Sequence, residues 1–343
     1  MFLAEGAPPS ELSPISPLEH GKLFGQAPLR IAFFGLPLAA LLLARDGHDI
    51  VLAAISRPDA VGLRRARRAL GERLLLRPDA QRPALRARLE GLQPDLLVSW
   101  FWTTRLPMDL VRAARLGGIN AHPSLLPRHR GPDPTYWAIA SGDTETGVTI
   151  HRIAAEYDTG DILDQERLPI DPAWTAWELA RALDRPSLRL LRRTVHRLAR
   201  GEEIPATPQD PALATEAPFP DDEQCAIGWT WPTERVLRHI RALAPAPGAW
   251  TEIEGSLIIV TRAAPVASFP AALLPGEAAV QGGLAVVRTG DTAVALLEGE
   301  IDGAPADAAE LAALVEGRAQ PGDGEASPGT GTRARASDPE LPG

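Results

Sequence analysis

An α/β fold is the prediction for this chain: a doubly wound, mostly parallel sheet over residues 29–204, followed by a small β-barrel (OB-like) domain. Three observations predict it. Apolar strand-like runs alternate with helical stretches between Leu29 and Ala121. Strand-like segments recur at Gly147–Ile153, where β-branched residues alternate, and at Ile162–Ile170. Beyond Ala249, five short strand-like runs follow one another at the close spacing of a small barrel.

Leu29 to Gly35 is apolar and ends at glycine, and Pro37 suits the first turn of a helix, so strand, turn and helix follow in order. Asp49–Ile55 reads as the second strand. Residues 60–91, rich in Arg, Ala and Leu, read as helix broken at Pro78 and Pro83. Asp95–Trp100 is the third strand, Pro107–Arg115 a helix, and Gly118–Ala121 a short fourth strand. Such alternation implies right-handed crossovers and parallel strands. Pro134–Ala140 is a short helix. Trp174–Arg200 is a long amphipathic helix, with an interruption expected near Pro186. Glu202–Pro220 has five prolines and no periodicity and reads as a linker. Thr233–Leu243 is a helix. Then come the strands Ala249–Thr251, Leu257–Thr261, Glu277–Val280, Leu284–Arg288 and Ala293–Leu297.

The domain plan is therefore an extension over 1–28, a catalytic domain over 29–204, a linker over 205–227, a barrel over 228–315 and a tail over 316–343. Both ends are read as disordered from their Pro, Gly, Ser and charged content. The single cysteine, Cys225, excludes a disulfide framework and Cys-based structural zinc, and fits a reducing cytoplasm. The first 28 residues lack the apolar stretch of a signal peptide. Ile31–Ala44 is broken at Gly35-Leu36-Pro37 and is too short to span a bilayer. A soluble cytoplasmic protein with no membrane partner is expected. Net charge is −9, and residues 206–343 hold eight arginines and no lysine against twenty carboxylates. That part is poorly suited to a broad nucleic-acid footprint. The rest is slightly positive, with Arg64, Arg65, Arg67 and Arg68 crowded together; a solvated helix face is the plain reading of that cluster. Phe34-Gly35-Leu36-Pro37 lacks the glycines of a dinucleotide fingerprint.

Residues 118–134, Gly-Ile-Asn-Ala-His-Pro-Ser-Leu-Leu-Pro-Arg-His-Arg-Gly-Pro-Asp-Pro, carry the chemistry. Asn120 and His122 stand two apart and so share one face of a strand. They lie at its carboxyl end, where open α/β sheets bind ligands. An amide and an imidazole there suit an oxyanion and a proton transfer. Asp158, 36 residues after His122, offers a carboxylate, with Asp161 as the competing one. Ser124 reads as a ligand contact or a turn hydroxyl, and His129, between two arginines, as a surface residue.

Asn120-Ala121-His122-Pro123-Ser124-Leu125-Leu126-Pro127, Arg130-Gly131, Gly142-Asp143, Gly147-Val148-Thr149-Ile150 and Asp158-Thr159-Gly160-Asp161-Ile162-Leu163 resemble the formyltransferases that use 10-formyltetrahydrofolate. Arg241–Ala249 is similar to the start of the C-terminal domain of the methionyl-tRNA formyltransferases. The resemblance spans about residues 29–300. It implies a Rossmann-like formyltransferase domain, with Asn120, His122 and Asp158 as the catalytic set and Ser124, Leu125, Leu126 and Pro127 lining the folate site. It implies 10-formyltetrahydrofolate as co-substrate, no metal, and methionyl-tRNA as first acceptor, with Arg64, Arg65, Arg67 and Arg68 placed where that family has a tRNA-binding loop.

The likeness departs from the tRNA enzymes at three places. Gly131-Pro132-Asp133-Pro134 stands where they usually have Gly-Ala-Ala-Pro, so Asp133 adds a carboxylate suited to a cationic amine on the acceptor side. The C-terminal part is acidic, and Asp59–Gly71 lacks the lysine-rich wording of the loop. A small amine, such as a nucleotide-linked amino sugar or glycinamide ribonucleotide, is therefore the alternative acceptor. Hydrolysis of 10-formyltetrahydrofolate is another reading, because His122–Gly131 also resembles the hydrolase portion of formyltetrahydrofolate dehydrogenase. A non-enzymatic folate-binding protein is the fourth.

Overall fold

The computed structural model describes residues 28–317 and the backbone of 332–333. Of the expected disordered ends, residues 1–27 and most of 318–343 lie outside the described residues. The first strand is β1 (Arg30–Gly35), then come α1 (Pro37–Arg45), β2 (Asp49–Ile55), α2 (Leu63–Leu70), β3 (Leu74–Leu76), α3 (Pro83–Leu92), β4 (Leu96–Trp100), α4 (Met108–Val111) and β5 (Gly118–His122). These are followed by α5 (Pro134–Ala140), β6 (Glu145–Arg152), β7 (Ile162–Pro169) and α6 (Ala176–Ala199). The sheet order is β3-β2-β1-β4-β5-β6-β7. The pairs β1–β2, β1–β4, β2–β3 and β4–β5 are parallel. Chain reversal beside β1 gives the doubly wound topology that the alternation predicts.

Two compact units divide the chain, and the division passes through β5 after Ala121. The first unit holds the residues up to Ala121 with His151–Ala155 and Leu191–Ala206. Its core joins Ala32 and Phe34 of β1, Leu52 and Ala54 of β2 and Leu97 of β4 to Leu85 and Leu89 of α3. At the end of β1 the chain turns with Gly35 at φ +143°, where a Cβ would lie 1.8 Å from the Trp100 carbonyl oxygen. Only glycine fits there. This turn leads into α1, with Pro37 in its first turn as expected.

The second unit comprises His122–Ile150, Glu156–Leu190 and the chain from Thr207 onward. It includes α7 (Thr233–Leu243), β8 (Ala249–Ile253), β9 (Ser256–Val266), β10 (Glu277–Gln281), β11 (Leu284–Arg288), β12 (Ala293–Ile301), β13 (Ala304–Asp307), α8 (Ala308–Val315) and β14 (Thr332–Arg333). The strands pair antiparallel in the order β14-β10-β11-β12-β9-β8, with β13 beside β12, and curl into a half-barrel.

Three elements differ from expectation. The stretch 60–91 is not helix broken only at prolines: α2 ends at Leu70 and the three-residue strand β3 follows. Pro186 does not interrupt α6, which is continuous from Ala176 to Ala199. One missing N–H is tolerated where Leu179, Leu183, Leu190, Leu191 and Val195 are all buried. The helix expected over 107–115 is a single turn, α4, followed by turns.

Candidate active site

The Pro-rich loop after β5 is held in shape by its own polar groups. Ser124 is fully buried and its hydroxyl donates to the Arg128 carbonyl at 2.7 Å. The Leu126 N–H donates to Thr149 Oγ1 at 3.1 Å, and the Leu126 carbonyl accepts from Gln165 Nε2 at 2.9 Å. Of the segment Ser124–Pro127, Leu125 and Pro127 are the half-buried members. The segment read as a linker supplies a wall for this loop. The Arg130 N–H donates to the Thr215 carbonyl at 2.8 Å, and the Ala217 N–H donates to the Arg130 carbonyl at 2.6 Å.

His122, at the end of β5, is buried. Its Nε2 lies 2.8 Å from the His129 carbonyl oxygen and its Nδ1 lies 3.4 Å from Asp158 Oδ2. A carbonyl only accepts, so Nε2 carries a proton. Nδ1 then faces a carboxylate oxygen, an arrangement that can pass one proton between imidazole and carboxylate. The Gly131 N–H donates to the same Oδ2 at 2.9 Å and favours the carboxylate form. Gly131 sits at φ +123°, where a Cβ would lie 2.8 Å from the Ala217 carbonyl oxygen. Asp158 itself is left-handed at φ +53°, and Gln209 Nε2 holds its carbonyl at 2.6 Å and that of Gly160 at 2.8 Å. His122 and Asp158 are thus brought together; it is Asp158, not Asp161, whose carboxylate meets His122.

Asn120 belongs to the first unit. Its Nδ2 lies 3.1 Å from Nε2 of the buried His151, whose Nδ1 lies 2.8 Å from the Arg152 carbonyl oxygen. That carbonyl fixes the proton on His151 Nδ1, so Nε2 accepts from the Asn120 amide. His151 therefore sets which way the amide faces. It was missed in the sequence, although it shares a face of β6 with Thr149 and follows it by two residues.

One expectation is corrected. His129 is not a surface residue: it is 3% exposed and its ring Nε2 lies 2.8 Å from Asp143 Oδ2. Asp133 has a structural task as well. Its Oδ1 caps α5, accepting from the Tyr136 N–H and the Thr135 hydroxyl, each at 3.3 Å. Burial pushes the Asp133 carboxyl up, against the pull of those two donors. Cys225 is buried, and burial with Asp222 and Asp221 raises its thiol to about 11.

Arg64, Arg65, Arg67 and Arg68 are all exposed on α2, whose buried side is Leu63, Ala66 and Leu70. Among the described residues these four guanidinium groups have no hydrogen bond or ion pair. Among the described residues, too, no group of three or more His, Cys, Asp or Glu side chains could hold a metal ion, and no helix is long and apolar enough to cross a membrane.

Residues 38–195 match the formyl transferase family and residues 221–314 match its C-terminal domain. The methionyl-tRNA formyltransferase of Anaeromyxobacter dehalogenans (strain 2CP-C) is 38% identical over 298 residues, covering 82% of this chain and 95% of that protein. The chain belongs to the formyltransferase family. It is an enzyme that transfers formyl groups. Two solved structures share the fold. HypX from Aquifex aeolicus in complex with tetrahydrofolic acid aligns at TM-score 0.61 and 20% identity, over 90% of this chain and 51% of that one. The N-formyltransferase from Helicobacter canadensis, in complex with folinic acid and dTDP-3-aminofucose, aligns at TM-score 0.60 and 15% identity, over 78% of this chain and 98% of that one.

Proposed function

We propose that this formyltransferase moves the formyl group of 10-formyltetrahydrofolate to the amino group of methionyl initiator tRNA, with Asn120, His122 and Asp158 as the catalytic residues. The observation that carries the reading is the approach of His122 Nδ1 to Asp158 Oδ2, at 3.4 Å, with Nε2 held as a donor by the His129 carbonyl. Amine attack on the formyl carbon makes a tetrahedral oxyanion, so the site must supply positive charge, take a proton from the amine and return one to the departing N10. His122 lends the charge when it holds both ring protons. Asp158 then takes or relays the amine proton, and the pair returns it to N10, directly or through water. Asn120, oriented by His151, offers its second amide hydrogen to the oxyanion. Atoms balance without an enzyme-bound intermediate: one C–N bond forms, one breaks and one proton crosses.

Leu125 and Pro127 offer apolar surface suited to the flat pterin, with Ser124 and Leu126 shaping the loop from within. The four arginines of α2 supply the charge for the acceptor arm of tRNA. The name carried by the relative with 38% identity favours the same acceptor. The Oδ1 atom of Asp133 already serves as a helix cap, which leaves one oxygen of that carboxylate for a cationic acceptor.

The test offers the purified protein 10-formyltetrahydrofolate together with methionyl initiator tRNA, a nucleotide-linked amino sugar, glycinamide ribonucleotide or water alone. Formylation of the tRNA at the highest kcat/KM is expected. Preferential formylation of a small amine, or formate release that no acceptor accelerates, would overturn the acceptor assignment.

A further inference from the structure

We infer that His129 and Asp143 form a positioning pair that holds His122 in its working tautomer; the inference rests on the catalytic reading of His122 and Asp158. The link runs through the backbone. The group that fixes the proton on His122 Nε2 is the carbonyl of His129, at 2.8 Å. That carbonyl belongs to a residue at φ +59°, in the left-handed region that side-chain-bearing residues enter seldom. The surroundings hold it there. The His129 N–H donates to Thr215 Oγ1 at 2.9 Å, the ring Nδ1 lies 3.4 Å from the same hydroxyl, and the ring Nε2 lies 2.8 Å from Asp143 Oδ2.

Asp143 uses both carboxylate oxygens on this turn. Oδ2 takes the His129 ring, and Oδ1 accepts from Arg128 Nη2 at 2.7 Å. Burial pushes the Asp143 carboxyl up, but the hydrogen bonds and charges of His129 and Arg128 outweigh it and leave it lower than usual. The result is an ionised anchor that grips two successive side chains on either side of one peptide unit. A further hold comes from Ser124, whose hydroxyl reaches the Arg128 carbonyl at 2.7 Å and the His129 carbonyl at 3.5 Å.

The turn matters because His122 has two ring nitrogens and one useful arrangement. If the His129 carbonyl turned away, the Nε2 proton would lose its acceptor, and the ring would be free to place its single proton on Nδ1. Proton exchange between Nδ1 and Asp158 would then lose its direction. A misplacement on the order of 1 Å at a catalytic group costs about a hundredfold in rate. His129 does not touch the reacting atoms in this account; it acts through the carbonyl that His122 reads.

Steady-state formyl transfer by full-length H129A, H129Q, D143N and H122A, each with a thermal melt, tests the inference. H129A and D143N should lose about 10- to 100-fold in kcat, with KM for donor and acceptor within about twofold of wild type. H129Q places its amide nitrogen where Nε2 of His129 lies and should regain most of that kcat. Should H129A fail to fold, D143N, of nearly the same shape, carries the test with the same expected split. The inference is overturned if H129A or D143N keeps kcat within about twofold while H122A is inactive. It is equally overturned if the loss falls on KM, or if a folded H129Q is as slow as H129A. A fully active H122A would overturn the catalytic reading itself, and this inference with it.

Discussion

Nδ1 of His122 stands 3.4 Å from Oδ2 of Asp158, while the opposite ring nitrogen meets a carbonyl oxygen at 2.8 Å. The second contact makes the first informative: with Nε2 committed as donor, Nδ1 is the nitrogen left to exchange a proton with the carboxylate. The distance is long for a hydrogen bond.

Replacing His151 by leucine should remove the acceptor of the Asn120 amide while keeping an apolar side chain at a buried position. A fall of about tenfold in kcat is expected, with the folate KM changed by less than about threefold. Stopped-flow or quench measurement of single turnovers checks it. An unchanged rate would mean that Asn120 is oriented by other partners.

Replacing Arg64, Arg65, Arg67 and Arg68 together by alanine should raise the KM for methionyl-tRNA by at least about tenfold and flatten its dependence on salt. Transfer to a minimal small-amine acceptor should be unaffected. If tRNA kinetics at 50 and 200 mM salt (values of about this order) match wild type, α2 is simply a solvated surface.

Asp143 gives a pH signature. Its folded-state pKa lies below the ordinary carboxylate value, burial being outweighed by His129 and Arg128. The stability it contributes is present above the unfolded-state pKa and is lost as pH falls through the lower folded-state value. Thermal melts between about pH 3 and 6 should fall more steeply for wild type than for D143N. Parallel curves would show that the carboxylate contributes no such linkage.

Cys225, buried and with its thiol raised to about 11, should resist alkylation at neutral pH in the native protein. The same reagent should label it fully once the chain is unfolded in denaturant. Rapid labelling of native enzyme would contradict the burial, and loss of formyl transfer in Cys225→Ala would contradict an inert thiol.

The alternation of strand and helix was legible in the sequence because each strand of the parallel sheet is a short apolar run. β3 was not, since it has three residues set between Arg73 and Arg77. Pro186 misled because local propensity argues for a break, whereas buried leucines on both sides of it hold α6 together. In the site, Asn120, His122 and Asp158 stood out through residue type and order. Their supports did not. Thr215 reaches His129 from 86 residues away and Gln209 reaches Asp158 from 51, both from a Pro-rich stretch with no periodicity. His129 read as exposed because its chain neighbours are arginines, yet the Ser124 turn folds it inward onto Asp143.

The most direct test is the single-turnover rate of formyl transfer from 10-formyltetrahydrofolate by Asp158→Asn beside wild type. Asparagine keeps the size and can still accept from Gly131, but it cannot share a proton with His122. A loss of at least about two orders of magnitude, with substrate binding retained, is predicted. A rate within a few-fold of wild type would contradict the account.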